Sequence, residues 1–234
     1  MGRTILVGDV HGCLAELQKL LDRIAFSSSD RLIFVGDLVA RGPRSAGVVA
    51  LCRRLQALVV RGNHEEKLLQ WRQGSKSRDE GGCEAIGALH LQVARDLCED
   101  DWKFLEATPL WCDLPEHNLW VVHAGVLPGV ALPQQPRRAL LTMRSIGELG
   151  EPLVRAGSIP WGCRYLGPRH VVFGHHAQPR PQLHPFATGI DTGCVYGGSL
   201  TAMVLAAGQP VPPISDRSSV LVSVDALRRW FGGR

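Results

Sequence analysis

The 234-residue chain has no run of about 18 consecutive apolar residues, which excludes an obvious membrane-spanning helix. Its first residues lack the basic, apolar and small-residue regions of a secretory signal. Leu6 stands where a myristoylation start after Met1–Gly2 requires Ser or Thr. A cytoplasmic protein without membrane contact is therefore expected. The seven cysteines contain no Cys-x-x-Cys pair, and their odd number and irregular spacing argue against a disulfide framework or a structural zinc site. There is no dense Lys/Arg run, so the net charge of +4 does not mark a nucleic-acid surface, although it suits an anionic substrate. Internal repeats and a clear domain boundary are also lacking. With 45% hydrophobic and 21% charged residues, the composition fits one large soluble domain.

What the chain does have is five short apolar runs that each lead into a residue able to bind a hard metal. Ile5–Val7 leads through Gly8 to Asp9 and then His11; Leu32–Val35 leads through Gly36 to Asp37. Leu58–Val60 leads to Asn63–His64, Leu119–Val122 to His123, and Val171–Phe173 through Gly174 to His175. Such runs, bounded by turn residues, read as buried strands. Between the first three, apolar residues at helical spacing predict helices over about 14–25 and 43–56, and a third passes through Leu68, Leu69 and Trp71. This β-α-β-α-β-α opening predicts an α/β fold with a mainly parallel sheet. The polar stretch 73–82 reads as a mobile loop, and Ala85–Leu105 as helical in two pieces. Strands near 110–113, 119–123, 170–174, 185–190 and 200–206 suggest a second sheet packed on the first. Residues 208–216, with three prolines, read as a connector, followed by a strand at Val220–Val224 and a short helix from Asp225 to Phe231.

In open α/β sheets, ligands sit at the carboxyl ends of strands, so the five junctions should converge. Taken singly, a Gly-Asp after a strand is usually a turn, and a lone His after a strand is usually structural. The ordered set is more specific: Asp37 follows Asp9 by 28 residues and Asn63 follows Asp37 by 26, and each gap fits one βα unit. Asp9, His11, Asp37, Asn63, His123 and His175 form an oxygen and imidazole set without thiolate, suited to octahedral or five-coordinate first-row ions. Six side chains are too many for one catalytic ion with open positions but suit two. A carboxylate such as Asp37 can bridge ions about 3.5–4 Å apart, the geometry used for in-line attack at phosphorus, where the ions also lower the pKa of a shared water.

Gly-Asp-Val-His-Gly (8–12), Gly-Asp-Leu-Val-Ala-Arg-Gly (36–42), Gly-Asn-His-Glu (62–65), His-Ala-Gly (123–125) and Gly-His (174–175) resemble the calcineurin-like metallophosphoesterases, and more narrowly the phosphoprotein-phosphatase superfamily. The resemblance implies a single-domain, two-sheet mixed β-sandwich flanked by helices, over residues 1–207. Residues 208–234 would pack on the same domain. It implies two divalent ions, manganese first and cobalt, iron, zinc, nickel or magnesium as alternatives. Asp9, His11 and Asp37 would hold one ion, and Asp37, Asn63, His123 and His175 the other. His64 would be the general acid, and Arg41 and Arg144 would clamp phosphoryl oxygens, a task suited to guanidinium.

Protein phosphatases of this superfamily carry Asp where this chain has Ala40, and that Asp supports the acid histidine. The Ala40 form, with Asp-Thr-Gly-Cys at 191–194, is similar to the symmetrically cleaving diadenosine tetraphosphatases. A serine alkoxide leaves only with firm proton donation, whereas a nucleoside diphosphate is a weak base, so loss of the Asp is tolerable for an anhydride. The resemblance thus implies cleavage of diadenosine tetraphosphate into two ADP, with nucleotide-capped RNA ends as wider substrates. Phosphoproteins are the alternative. Two departures stand out. Glu65 matches the protein phosphatases rather than the tetraphosphatases, and the connection from His123 to His175 is short for an adenosine-binding insertion. Trp161 is a candidate base-stacking contact, with a core position as the other reading.

Overall fold

The computed structural model describes residues 2–76, 86–155 and 159–232. The opening half alternates as expected: β1 (Thr4–Val7), α1 (Leu14–Arg23), β2 (Arg31–Phe34), α2 (Ser45–Arg54), β3 (Leu58–Val59) and α3 (Asn63–Lys76). α4 (Ala88–Asp96) and α5 (Glu99–Glu106) follow as two separate pieces, then β4 (Trp111–Leu114) and β5 (Leu119–Val122). A short excursion contains α6 (Arg137–Thr142) and a small hairpin, β6 (Ser145–Ile146) and β7 (Pro152–Leu153). The chain then adds β8 (His170–Phe173), β9 (Gln182–Leu183), β10 (Ala187–Gly189), β11 (Ser199–Leu205) and β12 (Leu221–Asp225).

Two five-stranded sheets result, in the orders β12-β11-β1-β2-β3 and β4-β5-β8-β10-β9. Each has a parallel trio at its heart: β1, β2 and β3 in the first sheet, β5, β8 and β10 in the second. The flanking strands run antiparallel. The protein is thus a single-domain α/β sandwich. Strand alternation explains the unbroken apolar runs, because both faces are covered. Ile5 and Val7 pack with the helical layer of α1 and α2, while Leu6, Ile33 and Val35 meet Leu119, Val121 and Val172 of the second sheet. Each such fully buried side chain contributes about 1.5–3 kcal/mol.

Three expectations change. The stretch 73–82 is not all loop: residues 73–76 continue α3, which tolerates Gly74 and meets no proline, and the remainder lies outside the described residues. Second, Asp225–Phe231 does not close as a helix. Its backbone donors turn outward, Ala226 to the Gly198 carbonyl and both Trp230 and Phe231 to that of Val195. The proline-rich connector is tied down by buried Arg217, which donates to the carbonyls of Pro212 and His184. Third, α6, the β6–β7 hairpin and β9 carry no strong periodicity and were not expected. Among the described residues, no helix is long and apolar enough to cross a membrane.

Candidate metal centre

Both parallel trios point their carboxyl ends at one edge of the sandwich. Six junctions meet there, one more than expected: Asp9 after β1, Asp37 after β2, Asn63 after β3, His123 after β5, His175 after β8 and Asp191 after β10. The turns are strained. Eight non-glycine residues among those described have positive φ, and five of them are His11, Asp37, Ala40, Arg41 and His175. Such conformations cost of order 1–3 kcal/mol each and cluster where function over-determines them. Gly174 is forced by close approach, since a Cβ there would lie 2.0 Å from Asp9 Oδ1.

Asp37 is central. Its Oδ2 lies 3.5 Å from His11 Nε2 and 3.5 Å from His123 Nε2. Two groups of close donor atoms share it: His11–Asp37–His64 and Asp37–His123–His175. Asn63 Oδ1 lies 3.0 Å from His123 Nε2 and 2.9 Å from His175 Nδ1, which joins it to the second group. Asp9 stands beside these groups, its carboxylate accepting the His175 backbone N–H at 3.0 Å.

The donor chemistry fits divalent ions. His123 Nδ1–H donates to the Val35 carbonyl at 2.9 Å and His11 Nδ1–H to that of Val39 at 3.0 Å. His123 therefore turns its Nε2 lone pair toward Asp37, an arrangement usual for metal-binding histidines, while that of His11 accepts from Arg41 and would have to be released to an ion. His123 Nε2 and Asn63 Oδ1 are then two acceptors face to face, which a shared cation relieves. His175 Nε2 is buried without a hydrogen-bond partner. Burial, then the Asp191 and Asp37 carboxylates, push Asp9 well above the usual carboxylate range. Burial pushes Asp37 up to about 7 and Asp191 up to about 6. Burial likewise holds His123 down to about 4 and His11 and His175 well below their ordinary value, so all three are neutral and able to ligate. Three carboxylates crowded away from water are what a cation would neutralise.

Arg41, Arg144, Asp37, Asn63, His175 and Asp191 line a cavity of about 560 Å³. Arg41 Nη1 donates to His11 Nε2 at 2.6 Å, and its guanidinium lies over the rings of Tyr196 and Phe231. Arg144 Nε is buried without a partner. His64 lies with Nε2 4.0 Å from Asp37 Oδ2 and its backbone N–H on Asp37 Oδ1. His176 lines the cavity and pairs with the Gln178 amide, apart from both donor groups. Trp161 does not reach the cavity. It is 1% exposed, packs 4.8 Å from Phe173 and donates Nε1–H to the Ala124 carbonyl, so its core position wins over base stacking.

Three residues were missed by sequence reasoning. Asp191 follows the same strand-end rule, but its run, Ala187–Ile190, contains Thr and Gly and is weakly apolar. His90, on α4, places Nε2 3.0 Å from His64 Nδ1, and no strand-end signal marks it. Glu65 is fully buried and accepts the backbone N–H groups of Asp37, Gly62 and Val39, clamping the β2 and β3 turns together. That structural task explains the Glu of Gly-Asn-His-Glu.

A family model described as calcineurin-like phosphoesterase matches residues 2–179. The chain belongs to this family of metal-dependent hydrolases. A relative from Oceanobacillus iheyensis, 32% identical over 84% of this chain and 86% of its own length, is named asymmetrical bis(5'-nucleosyl)-tetraphosphatase PrpE. One from Halalkalibacterium halodurans bears the same name at 31% identity over 85% of this chain and 88% of its own. A crystal structure described provisionally as a diadenosine tetraphosphatase shares 35% identity and a TM-score of 0.80, covering 96% of this chain and 94% of that one. A yeast (Saccharomyces cerevisiae) serine/threonine phosphatase, at 17% identity and TM-score 0.63 over 96% and 79%, shares the fold.

Proposed function

We propose that this calcineurin-like phosphoesterase is a cytoplasmic hydrolase of dinucleoside tetraphosphates, diadenosine tetraphosphate foremost, using two divalent ions with manganese as the first candidate. The observation that carries the reading is two close donor groups that share Asp37, set at the wall of a cavity that Asp37, Asn63 and His175 line together with two arginines for a polyphosphate. Asp9, His11 and Asp37 would hold one ion, and Asp37, Asn63, His123 and His175 the other. Bound there, the ions supply Lewis acidity, neutralising phosphoryl oxygens and acidifying water.

The chain's own residues orient and protonate. Arg41 and Arg144 hold phosphoryl oxygens through planar, charge-assisted hydrogen bonds. His64 Nδ1 lies 3.0 Å from His90 Nε2, so a neutral His90 can accept the Nδ1–H of a protonated His64, whose Nε2–H, on the Asp37 side, passes to the leaving oxygen and leaves His64 neutral. Ala40, in place of a carboxylate, fits an anhydride whose leaving group needs little proton help.

The cleavage position has two candidates. The Asp-Thr-Gly-Cys segment speaks for two ADP, and the name of the near-full-length relatives speaks for ATP and AMP; the relatives weigh more, and the asymmetric pair is expected. A phosphoprotein activity is the second reading. It is favoured by the His90–His64 hydrogen bond, which gives the acid histidine a support despite Ala40. The test is turnover by manganese-reconstituted protein of diadenosine tetraphosphate beside a phosphopeptide, with nucleotide products resolved. Faster release of ATP and AMP supports the proposal, two ADP moves the cleavage position, and phosphate from the peptide alone overturns it. Asp37→Asn should reduce every activity to background; surviving turnover would sink the two-ion assignment.

A further inference from the structure

Two aromatic rings on the cavity wall have no part in the chemistry above. Tyr196 follows β10 in the Cys194–Tyr196 turn, and Phe231 comes from the C-terminal segment, some 35 residues further along the chain. Their ring centroids lie 6.1 Å apart at an interplanar angle of 57°.

Phe231 is brought there by a costly arrangement. The segment after β12 has no regular structure to satisfy its backbone, yet it is fastened at point after point. Ala226 N donates to Gly198 O, and Trp230 N and Phe231 N both donate to Val195 O. Arg229 Nε donates to Tyr196 O at 3.1 Å. Leu227 N and Trp230 Nε1 both donate to Glu16 Oε1, at 3.1 and 2.7 Å, and Glu16 is fully buried under them. A segment without regular structure keeps one position only where it is tied down. This one is tied so that its last described aromatic faces the same cavity as Asp37 and Asn63.

We propose that Tyr196 and Phe231 form the subsite for one nucleobase of the substrate, which makes the C-terminal segment part of the active site. The inference rests on the nucleotide reading above and names what holds the nucleoside end. Arg41 links the two regions: one side donates to His11, while its guanidinium lies 5.6 Å from the Tyr196 centroid and 5.9 Å from that of Phe231. A phosphoryl group on Arg41 therefore has the rings as its neighbours, which is where the rest of a nucleotide must go. Every nucleobase has a π-face, so aromatic rings hold it with little dependence on which base it is. Gln178, on the same wall, has its amide nitrogen on His176 and still carries a second N–H and a carbonyl oxygen for a base edge. With Trp161 in the core, these rings take the role expected of it.

The experiment compares wild-type protein with Phe231→Ala, Phe231→Leu and Phe231→Trp on two substrates, diadenosine tetraphosphate and inorganic tripolyphosphate. Binding of ADP and of pyrophosphate is measured beside them by calorimetry. Removing the ring should lower the dinucleotide-to-tripolyphosphate ratio of kcat/KM by about five- to a hundredfold, with Leu, which keeps the apolar volume, close to Ala and with Trp restoring the ratio. ADP affinity should fall in step, relative to pyrophosphate. An unchanged ratio overturns the subsite, and so does equal loss on both substrates, which would confine the rings to holding Arg41. If wild-type protein does not cleave the dinucleotide, the function above fails. The subsite would then stand or fall on whether Phe231 matters for ADP and not for pyrophosphate.

Discussion

At the scale of single residues, the pairing of His64 with His90 would supply, on the proposed reading of His64 as the general acid, the partner that a carboxylate at position 40 gives elsewhere. Burial first, then Lys67 and Arg41, hold His90 down to about 4, so it is neutral near pH 7. A neutral imidazole fixes the orientation and tautomer of His64 but adds no negative charge to support a protonated form. The consequence is leaving-group dependence. His90→Ala should slow hydrolysis of phenyl phosphate by about tenfold or more while affecting dinitrophenyl phosphate little, because only the poorer leaving group depends on the acid. Equal slowing of both would remove His90 from the role. Ala40→Asp is the reciprocal change. Ala40 is buried with φ +67°, a conformation Asp tolerates better than most residues. The variant should raise phosphopeptide turnover relative to diadenosine tetraphosphate, and an unchanged ratio would defeat the argument from Ala40 to anhydrides.

At the scale of elements, the site is a set of strand ends held in register by Glu65. A single carboxylate at the start of α3 receives three backbone N–H groups, two from the β2 turn and one from the β3 turn. Glu65→Gln replaces one acceptor oxygen by a donor that faces an N–H. The expected cost is about 1–3 kcal/mol in urea unfolding, with manganese affinity lowered about 10–100-fold because Asp37 loses its support. A variant with unaltered metal affinity would show that the turns hold themselves. This clamp also marks the limit of sequence reading. Strand-end ligands are legible because an apolar run and a polar terminus are adjacent in the chain. Glu65, His90 and Phe231 act across 26 to 35 residues or between distant loops, and no local pattern records such contacts. The C-terminal segment misled in the opposite way. Its spacing imitates a helix, but its hydrogen bonds go to Val195 and Gly198.

At the scale of the whole molecule, the parallel trio of the first sheet was visible in its alternation with helices, and the second sheet was visible only as a set of strands. The edge where five ligand-bearing strand ends converge followed from the place of ligands at carboxyl ends. The order of strands within the second sheet was not visible, since β8 and β10 are parallel neighbours joined through a strand as short as Gln182–Leu183. That pairing has a titratable lock. His170, at the start of β8, is buried and bonds Thr188 Oγ1 of β10 at 2.8 Å through Nε2. Burial first, then the Arg217 cation, hold it down to about 3. The unfolded chain binds that proton near the ordinary value of about 6.5, so it holds more protons than the folded chain between these limits. Stability from this group is therefore fully present above about pH 6.5 and is lost as pH falls toward about 3. Other buried histidines give the same slope, so the group is isolated by difference. His170→Gln should be less stable than wild type at pH 8 by its lost packing, and the gap should narrow or reverse by pH 4.5, by an amount on the order of 2 kcal/mol. Urea unfolding of both proteins across that range reads the gap directly. Curves that fall in parallel would show that His170 does not change protonation between the folded and unfolded chain.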